Sequence, residues 1–390
     1  MTTAQRIYLD NAATSWPKPD AVYAAVDNYM RKLGAPAGRG VYREAVEVER
    51  LVEQTRQYLT RLIGVDEPRR MIFTANGTDS LNLALHGLLR PGDHVVTSVC
   101  EHNSVLRPLK HLQQNLDVDV TRVGCDSCGI VSPDDIAHAL TAQTKMIALT
   151  HASNVTGSLQ PVAVVGQIAA EHGVLFLVDA AQTLGHLPIK VTETGAHLLA
   201  APGHKGLLGP LGTGILYVGQ EAEKALNATR QGGTGTASED DTQPTTLPDK
   251  YESGNHNVPG IVGLNAAVQH ILQRGPDSIR EHEEQLTSRL LVGLAKIAGV
   301  TIHGPGDATL QAGVVSISID GYDPQEAATI LDDAYSVQVR SGLHCAPRMH
   351  ESLGTLTTGG TIRLSVGIFN APEHVDITVH AISELAASVV

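Results

Sequence analysis

The chain predicts an α/β protein on a mostly parallel sheet, with a second, smaller α/β unit toward its C-terminus. Three observations carry this. Strand-like runs at 71–74, 94–97, 146–150 and 174–178 alternate with helical patterns, the order that builds parallel sheets covered on both faces. The run Gly313-Val314-Val315-Ser316-Ile317-Ser318-Ile319 alternates instead, as a half-buried antiparallel strand does. The chain has 390 residues, 42% of them hydrophobic, enough for two domains of an ordered globular protein.

Taken in order, Ile7-Tyr8-Leu9-Asp10-Asn11-Ala12-Ala13 reads as a short strand entering a turn. Val48, Leu51, Val52, Leu59 and Leu62 fall at three- and four-residue spacing and predict a helix over 43–63. The strand at 71–74 leads into Gly77-Thr78-Asp79 and a helix through 81–85. The strand at 146–150 precedes His151-Ala152-Ser153-Asn154, and a helix over 164–172 feeds the strand that ends at Asp179. The polar segment 232–250 is a loop. A helix begins near Gly263, with helical pattern to about residue 297. The domains expected are 15–259, large, and 260–390, small, with residues 1–14 joining the latter.

A formal net charge of −13 argues against a nucleic-acid partner. No apolar run approaches the roughly 18 residues of a membrane span, and the first residues lack the pattern of a signal peptide; a cytoplasmic location is expected. Four cysteines do not make a disulfide scaffold. Cys125 and Cys128 form a lone Cys-x-x-Cys that reads first as a polar turn, because a zinc site needs four ligands. No metal is expected.

The chemistry gathers around Lys205, in Gly203-His204-Lys205-Gly206, which follows the strand-ending Asp179 by 26 positions (205 minus 179). A lysine that binds an aldehyde and a carboxylate that pairs with a pyridinium nitrogen are the two groups pyridoxal phosphate requires. Gly77-Thr78-Asp79 lies between strand and helix, where backbone N–H groups and a hydroxyl can hold a phosphate; taken singly it is equally an ordinary helix cap. Arg363, in Thr361-Ile362-Arg363-Leu364-Ser365, has the planar fork that grips a carboxylate. Cys345, in Arg340-Ser341-Gly342-Leu343-His344-Cys345-Ala346-Pro347, has Gly and Pro flanks that argue for a loop rather than a buried thiol.

From Tyr8-Leu9-Asp10-Asn11 to Arg363-Leu364-Ser365 these motifs, in this order, resemble the class V aminotransferase-fold pyridoxal phosphate enzymes. They are most like the cysteine desulfurases and selenocysteine lyases. The resemblance implies the pyridoxal phosphate transferase fold of type I, with a seven-stranded-type, mostly parallel sheet in the large domain. It implies that Lys205 carries the cofactor, that the phosphate sits on Gly77, Thr78, the Asp79 backbone and His204, and that His102 stacks on the ring. Asn154 and Gln182 would flank the ring hydroxyl, with Asp179 at the ring nitrogen. Arg363 would clamp the substrate carboxylate, beside Asn11 and Ala13; Arg39-Gly40 resembles another segment near the site.

The Arg-x-Gly-x-His-Cys loop implies that Cys345 takes sulfur from L-cysteine as a persulfide, leaving alanine. His344 and Arg340 would favour its thiolate. A sulfur-acceptor protein and a homodimer are implied too, with Asn255 serving the partner's phosphate site. Two places depart from the family. Pro202 stands where members often carry a serine, and Ser253-Gly254-Asn255-His256-Asn257 stands where many have Ala-Gly-Thr-Pro-Asn. Alternatives are a selenocysteine lyase or another C–S lyase on a sulfur amino acid, an aminotransferase or epimerase of this fold, and a non-catalytic module that keeps the fold.

Overall fold

The computed structural model describes residues 6–38, 40–236 and 239–388. Among these the strands are β1 (Ile7–Tyr8), β2 (Met71–Thr74), β3 (His94–Ser98), β4 (Asp119–Val123), β5 (Thr144–Thr150), β6 (Leu175–Asp179), β7 (Leu198–Pro202), β8 (Gly214–Val218), β9 (Val300–His303), β10 (Val314–Ile319), β11 (Val337–Gln338), β12 (Arg340–Gly342) and β13 (Thr361–Ser365).

Seven of them form one sheet in the order β2-β8-β7-β6-β5-β3-β4. It is mostly parallel, as expected; β8 alone runs antiparallel to both its neighbours. Alternate residues of each strand point to opposite faces, and the core divides accordingly. Val96, Ile147, Leu149, Phe176, Val178 and Leu199 face one side, with the helices Arg43–Ile63 and Val258–Arg274. Val95, Met146, Ala148, Leu175, Leu177 and Leu198 face the other, with the helices Gly77–Leu88 and Asn103–Asn115. Burial on both faces is why β3, β6, β7 and β8 are buried throughout.

The helix expected over 43–63 forms with those bounds and stops at Gly64, whose φ of 72° is left-handed. The helical pattern of 263–297 resolves into two helices. Val258–Arg274 starts earlier than expected, because Asn257 caps it through the Gly260 N–H. Pro276–Leu294 follows the break at Gly275.

The alternating run near 313–319 forms β10 in a four-stranded antiparallel sheet, β12-β13-β10-β9. Its core includes Val315, Ile317, Leu290, Leu331 and Ile382 from the strands and covering helices. Ile7 and Leu9 of the N-terminal segment join that same core. β1 pairs in parallel with β11, and Asp10 bridges to Ser365. The helix Val258–Arg274, by contrast, puts its apolar residues into the core of the large sheet. Among the described residues no helix is long and apolar enough to cross a membrane.

Candidate active site

Three parallel strands end together: β5 at Thr150, β6 at Asp179 and β7 at Pro202. Ligands of open α/β sheets bind beyond such carboxyl ends. A cleft opens there, lined by Ala13, Gly77, Thr78, His102, Asn154, Asp179, Gln182, His204, Lys205 and Arg363, all expected from the sequence. Asn76, Ser104, Arg340 and Pro202 also border it.

Lys205 sits in the turn after β7, among cations. Burial, then the charge of Arg363, lowers its amine to about 8, against the pull of Asp179. Asp179 is buried; its carboxylate accepts the Ala181 N–H (3.0 Å). Burial raises its pKa, while that hydrogen bond and Lys205 oppose the rise.

The helix Gly77–Leu88 aims its N-terminus at the cleft. Gly77 is tightly packed: a Cβ there would lie 3.1 Å from Pro202 Cδ and 3.3 Å from its backbone nitrogen, so Pro202 would have to give by a few tenths of an ångström. Thr78 Oγ1 lies 2.7 Å from Ser104 Oγ. Asp79 does not line the cleft: its N–H donates to Asn76 Oδ1 (2.9 Å) and its carboxylate accepts the Ala75 N–H (3.0 Å). The cap of this helix is Asn76, and Asp79 lies in the first turn it holds. His204 Nδ1 is buried with no hydrogen-bond partner.

His102 caps the helix Asn103–Asn115, its Nδ1 accepting from the Ser104 N–H (3.0 Å). Burial, then Lys205 and the nearby arginines, lowers it to about 4. The ring is therefore neutral near pH 7, and with Nδ1 accepting, its proton belongs on Nε2. Gln182 Nε2 donates to the Ala12 carbonyl (3.2 Å), tying the N-terminal segment to the sheet. Asn11 stands behind this segment rather than in the cleft, its Nδ2 donating to the Ser365 carbonyl (3.0 Å).

Arg363 on β13 is buried. Nη1 donates to the Asn154 carbonyl (3.0 Å), Nη2 pairs with Asp10 Oδ1 (2.8 Å), and Nε has no partner. Asn154 also donates from Nδ2 to the His344 carbonyl (2.5 Å), so one residue joins Arg363 to the cysteine loop.

Cys345 lies in an adjoining cleft that shares Thr78, His102 and Ser104 with the first. His344 and Cys345 both have left-handed backbones, φ 48° and 61°, a strained pairing for two non-glycine residues. The loop is held from outside: the Cys345 carbonyl accepts the Asn103 N–H (2.7 Å), and Arg340 Nη2 reaches Cys345 Sγ at 3.6 Å. The sequence expectation for His344 needs correcting. Burial, then Arg363 and His350, pushes its ring down to about 2, and Nε2 faces Thr361 Oγ1 (3.0 Å). It brings no positive charge to the thiol; Arg340 does.

Asn255 lies in neither cleft. It borders a separate one with Phe73, Gly212, Arg230 and Glu252. Arg39 lies outside the described residues. Sequence reasoning missed Ser104, Asp10 and Glu101. Glu101 is buried beside the site, Oε1 accepting from Ser98 Oγ (2.7 Å) and the Thr150 N–H (3.1 Å) while Oε2 has no partner. Its place next to His102 was the available signal.

The aminotransferase class-V family model matches residues 7–377. A probable cysteine desulfurase of Methanothermobacter thermautotrophicus is 35% identical over 97% of this chain and 94% of its own length. Another probable cysteine desulfurase, from Pyrococcus abyssi, is 34% identical over 99% of this chain and 96% of its own. Among solved structures, the apo cysteine desulfurase of Thermococcus onnurineus superposes with a TM-score of 0.91 at 34% identity, covering 98% of this chain and 95% of that one.

Proposed function

Because the chain belongs to the aminotransferase class-V family, we propose that it is a cysteine desulfurase, converting L-cysteine to L-alanine and passing the sulfur to an acceptor through Cys345. The observation that carries this is a thiol on an ordered loop, 3.6 Å from a guanidinium. It sits beside a cleft that holds a lysine, a buried carboxylate and a buried arginine.

Pyridoxal phosphate is the proposed cofactor, and the residues fit it. The unpartnered Nδ1 of His204, the Thr78 hydroxyl and the N-terminus of the helix Gly77–Leu88 suit a phosphate. Asp179 suits a ring nitrogen, and Lys205 the aldehyde. When bound, the cofactor supplies an electron sink for the substrate's α-carbon. Arg363 holds the substrate carboxylate, Nε being unsatisfied and Nη2 shared with Asp10. Lys205 Nζ, its basicity reduced to about 8, takes the α-proton. His102 presents a neutral ring to the cleft.

Cys345 Sγ attacks the substrate sulfur. The S–S bond forms as the Cβ–S bond breaks, the electron pair left on Cβ takes a proton, and Lys205 returns the α-proton to Cα, giving alanine. The sulfur stays on Cys345 as a persulfide until an acceptor, proposed to be a protein, removes it. We further propose a homodimer in which Asn255 serves the neighbouring subunit, a cytoplasmic location, and two units that divide after the helix Val258–Arg274, which packs on the large sheet, with residues 1–14 joining the second.

The test is to incubate pyridoxal phosphate-loaded protein with L-cysteine and a thiol reductant, beside Cys345→Ala, and to quantify alanine and sulfide. Equimolar alanine and sulfide from the wild type alone support the reading. Equal activity in both, or pyruvate in place of alanine, makes the chain a different C–S lyase. No product from either, with selenocysteine turned over, makes it a selenocysteine lyase.

A further inference from the structure

Cys100 and Cys125 face each other across the edge of the large sheet. β3 and β4 pair in parallel with Ser98 opposite Val123, and the ladder continues where the Val99 N–H donates to the Val123 carbonyl (3.0 Å). Both strands end there, and two residues further along each chain stand Cys100 and Cys125, the second packed against the core cluster that holds the first. The two thiols are close enough to interact. The strands leave the ladder about 4.8 Å apart, close to the roughly 4.4–6.8 Å Cα spacing that a disulfide accepts.

The two sulfurs differ in character. Cys100 is buried and also meets the Gly129 carbonyl (3.6 Å). Its hydrogen bond to Cys125, then burial, raises its pKa well above the ordinary thiol value. Cys125 is half-buried and borders a surface depression with Asp126, Ser132 and Asp135. The hydrogen bond from Cys100 lowers its pKa; burial and the Asp126 charge oppose this, and Ser352 adds a second hydrogen bond. One thiol thus favours the reactive thiolate and reaches solvent, while the other waits behind it as a proton-bearing partner.

Cys128 lies on the turn closed by the Gly129 N–H to the Asp126 carbonyl (3.0 Å), and its carbonyl is held by Ser158 Oγ (2.5 Å).

We propose that Cys100 and Cys125 form a thiol pair that peroxide oxidises to a disulfide, with Cys125 attacked first and Cys100 resolving. In the first step the Cys125 thiolate takes oxygen from hydrogen peroxide. The O–O bond breaks, hydroxide leaves, and Cys125 becomes a sulfenic acid. In the second, Cys100 sulfur attacks Cys125 sulfur. The S–S bond forms, the S–O bond breaks, and water leaves with the Cys100 proton. The two thiols give up two electrons in all, and they reduce one peroxide.

The pair adjoins functional elements on both sides. Cys100 directly precedes Glu101 and His102. Cys125 touches Ser352 at the end of the helix Pro347–Ser352, which follows the Cys345 loop.

The experiment treats the full-length protein with hydrogen peroxide, blocks remaining thiols with N-ethylmaleimide, and maps non-reduced peptides by mass spectrometry. It is run on wild type and on Cys345→Ala, which removes the other reactive thiol. The expected result is a Cys100–Cys125 peptide pair, two hydrogens lighter than the sum of its reduced parts, in both proteins and in Cys128→Ser, and lost in Cys125→Ser. A Cys125–Cys128 link overturns the proposal. So does Cys125 ending as a sulfinic acid while Cys100 is alkylated only after unfolding.

Discussion

Arg363 Nη2 donates to Asp10 Oδ1 at 2.8 Å, while Nε of the same buried guanidinium has no partner. The arginine is thus held in place by one carboxylate with donor capacity left for another. Arg363→Lys keeps the charge and loses the fork. Losing a charge-assisted hydrogen bond costs about 1.5–3 kcal/mol, so KM for cysteine should rise roughly 10- to 100-fold with a smaller change in kcat. Asp10→Asn frees the guanidinium and should lower KM. Steady-state kinetics of the two variants check this; an unchanged KM in both removes Arg363 from substrate binding.

Glu101 links the site to stability through pH. Burial raises its carboxyl from 4.5 to about 8, and the nearby Asp179 adds to the rise. The folded state keeps a proton that the unfolded chain releases above 4.5. The group's contribution is full below 4.5 and is lost as pH rises through 8, with a slope of at most about 1.4 kcal/mol per pH unit. Glu101→Gln, which mimics the protonated acid, should match the wild type near pH 5 and exceed its stability at pH 8. Urea unfolding at both pH values, at equal cofactor loading, decides; parallel profiles would mean that Glu101 is ionised in the fold.

Glu252 works in the opposite direction. It accepts from Arg56 at 2.7 and 2.5 Å and from the Phe73 N–H at 2.6 Å. Despite burial, which opposes it, the Arg56 charge and these bonds with His256 lower its carboxyl to about 2. Its stabilisation is present above 4.5 and fades as pH falls through 2. Glu252→Ala leaves buried Arg56 with only Glu53, 3.9 Å away, as an ion partner, at a cost of about 3–5 kcal/mol, whereas Arg56→Met with Glu252→Leu should recover most of it. Melting temperatures of the single and double variants test the pair; equal losses in both would contradict it.

Arg340 reaches the loop thiol, with Nη2 at 3.6 Å from Cys345 Sγ. Arg340→Gln should slow iodoacetamide alkylation of Cys345 several-fold, because it removes the guanidinium donor that contacts the sulfur. His344→Asn should change that rate little. The reverse order would restore the histidine as the activating group.

Much of the site was legible because its chemistry is carried by residue type at strand ends. Asp179 ends an apolar run and Thr78 opens a helix after a strand, which local pattern shows; the resemblance to the class V enzymes is what gathered them with Lys205 into one site. Asp10, Ser104 and Glu101 were not legible. Each acts through a partner distant in sequence or through a hydrogen bond that only packing creates, as Asp10 does with Arg363, 353 positions away. β8 was missed because an antiparallel strand buried on both faces shows no alternation to separate it from its parallel neighbours.

The sequence by itself determined the α/β class, the second unit with its alternating strand, and the set of residues able to bind an aldehyde, a phosphate and a carboxylate. These follow from periodicity and side-chain chemistry, which are local. Only the tertiary structure decided that Arg340 rather than His344 reaches the Cys345 thiol, that the Asp79 N–H is held by the Asn76 cap while Thr78 borders the cleft, and that Cys125 packs against the core cluster that holds Cys100. Burial and cross-strand register settle those questions, because they set which groups are dehydrated and which face each other, and neither is written in local spacing.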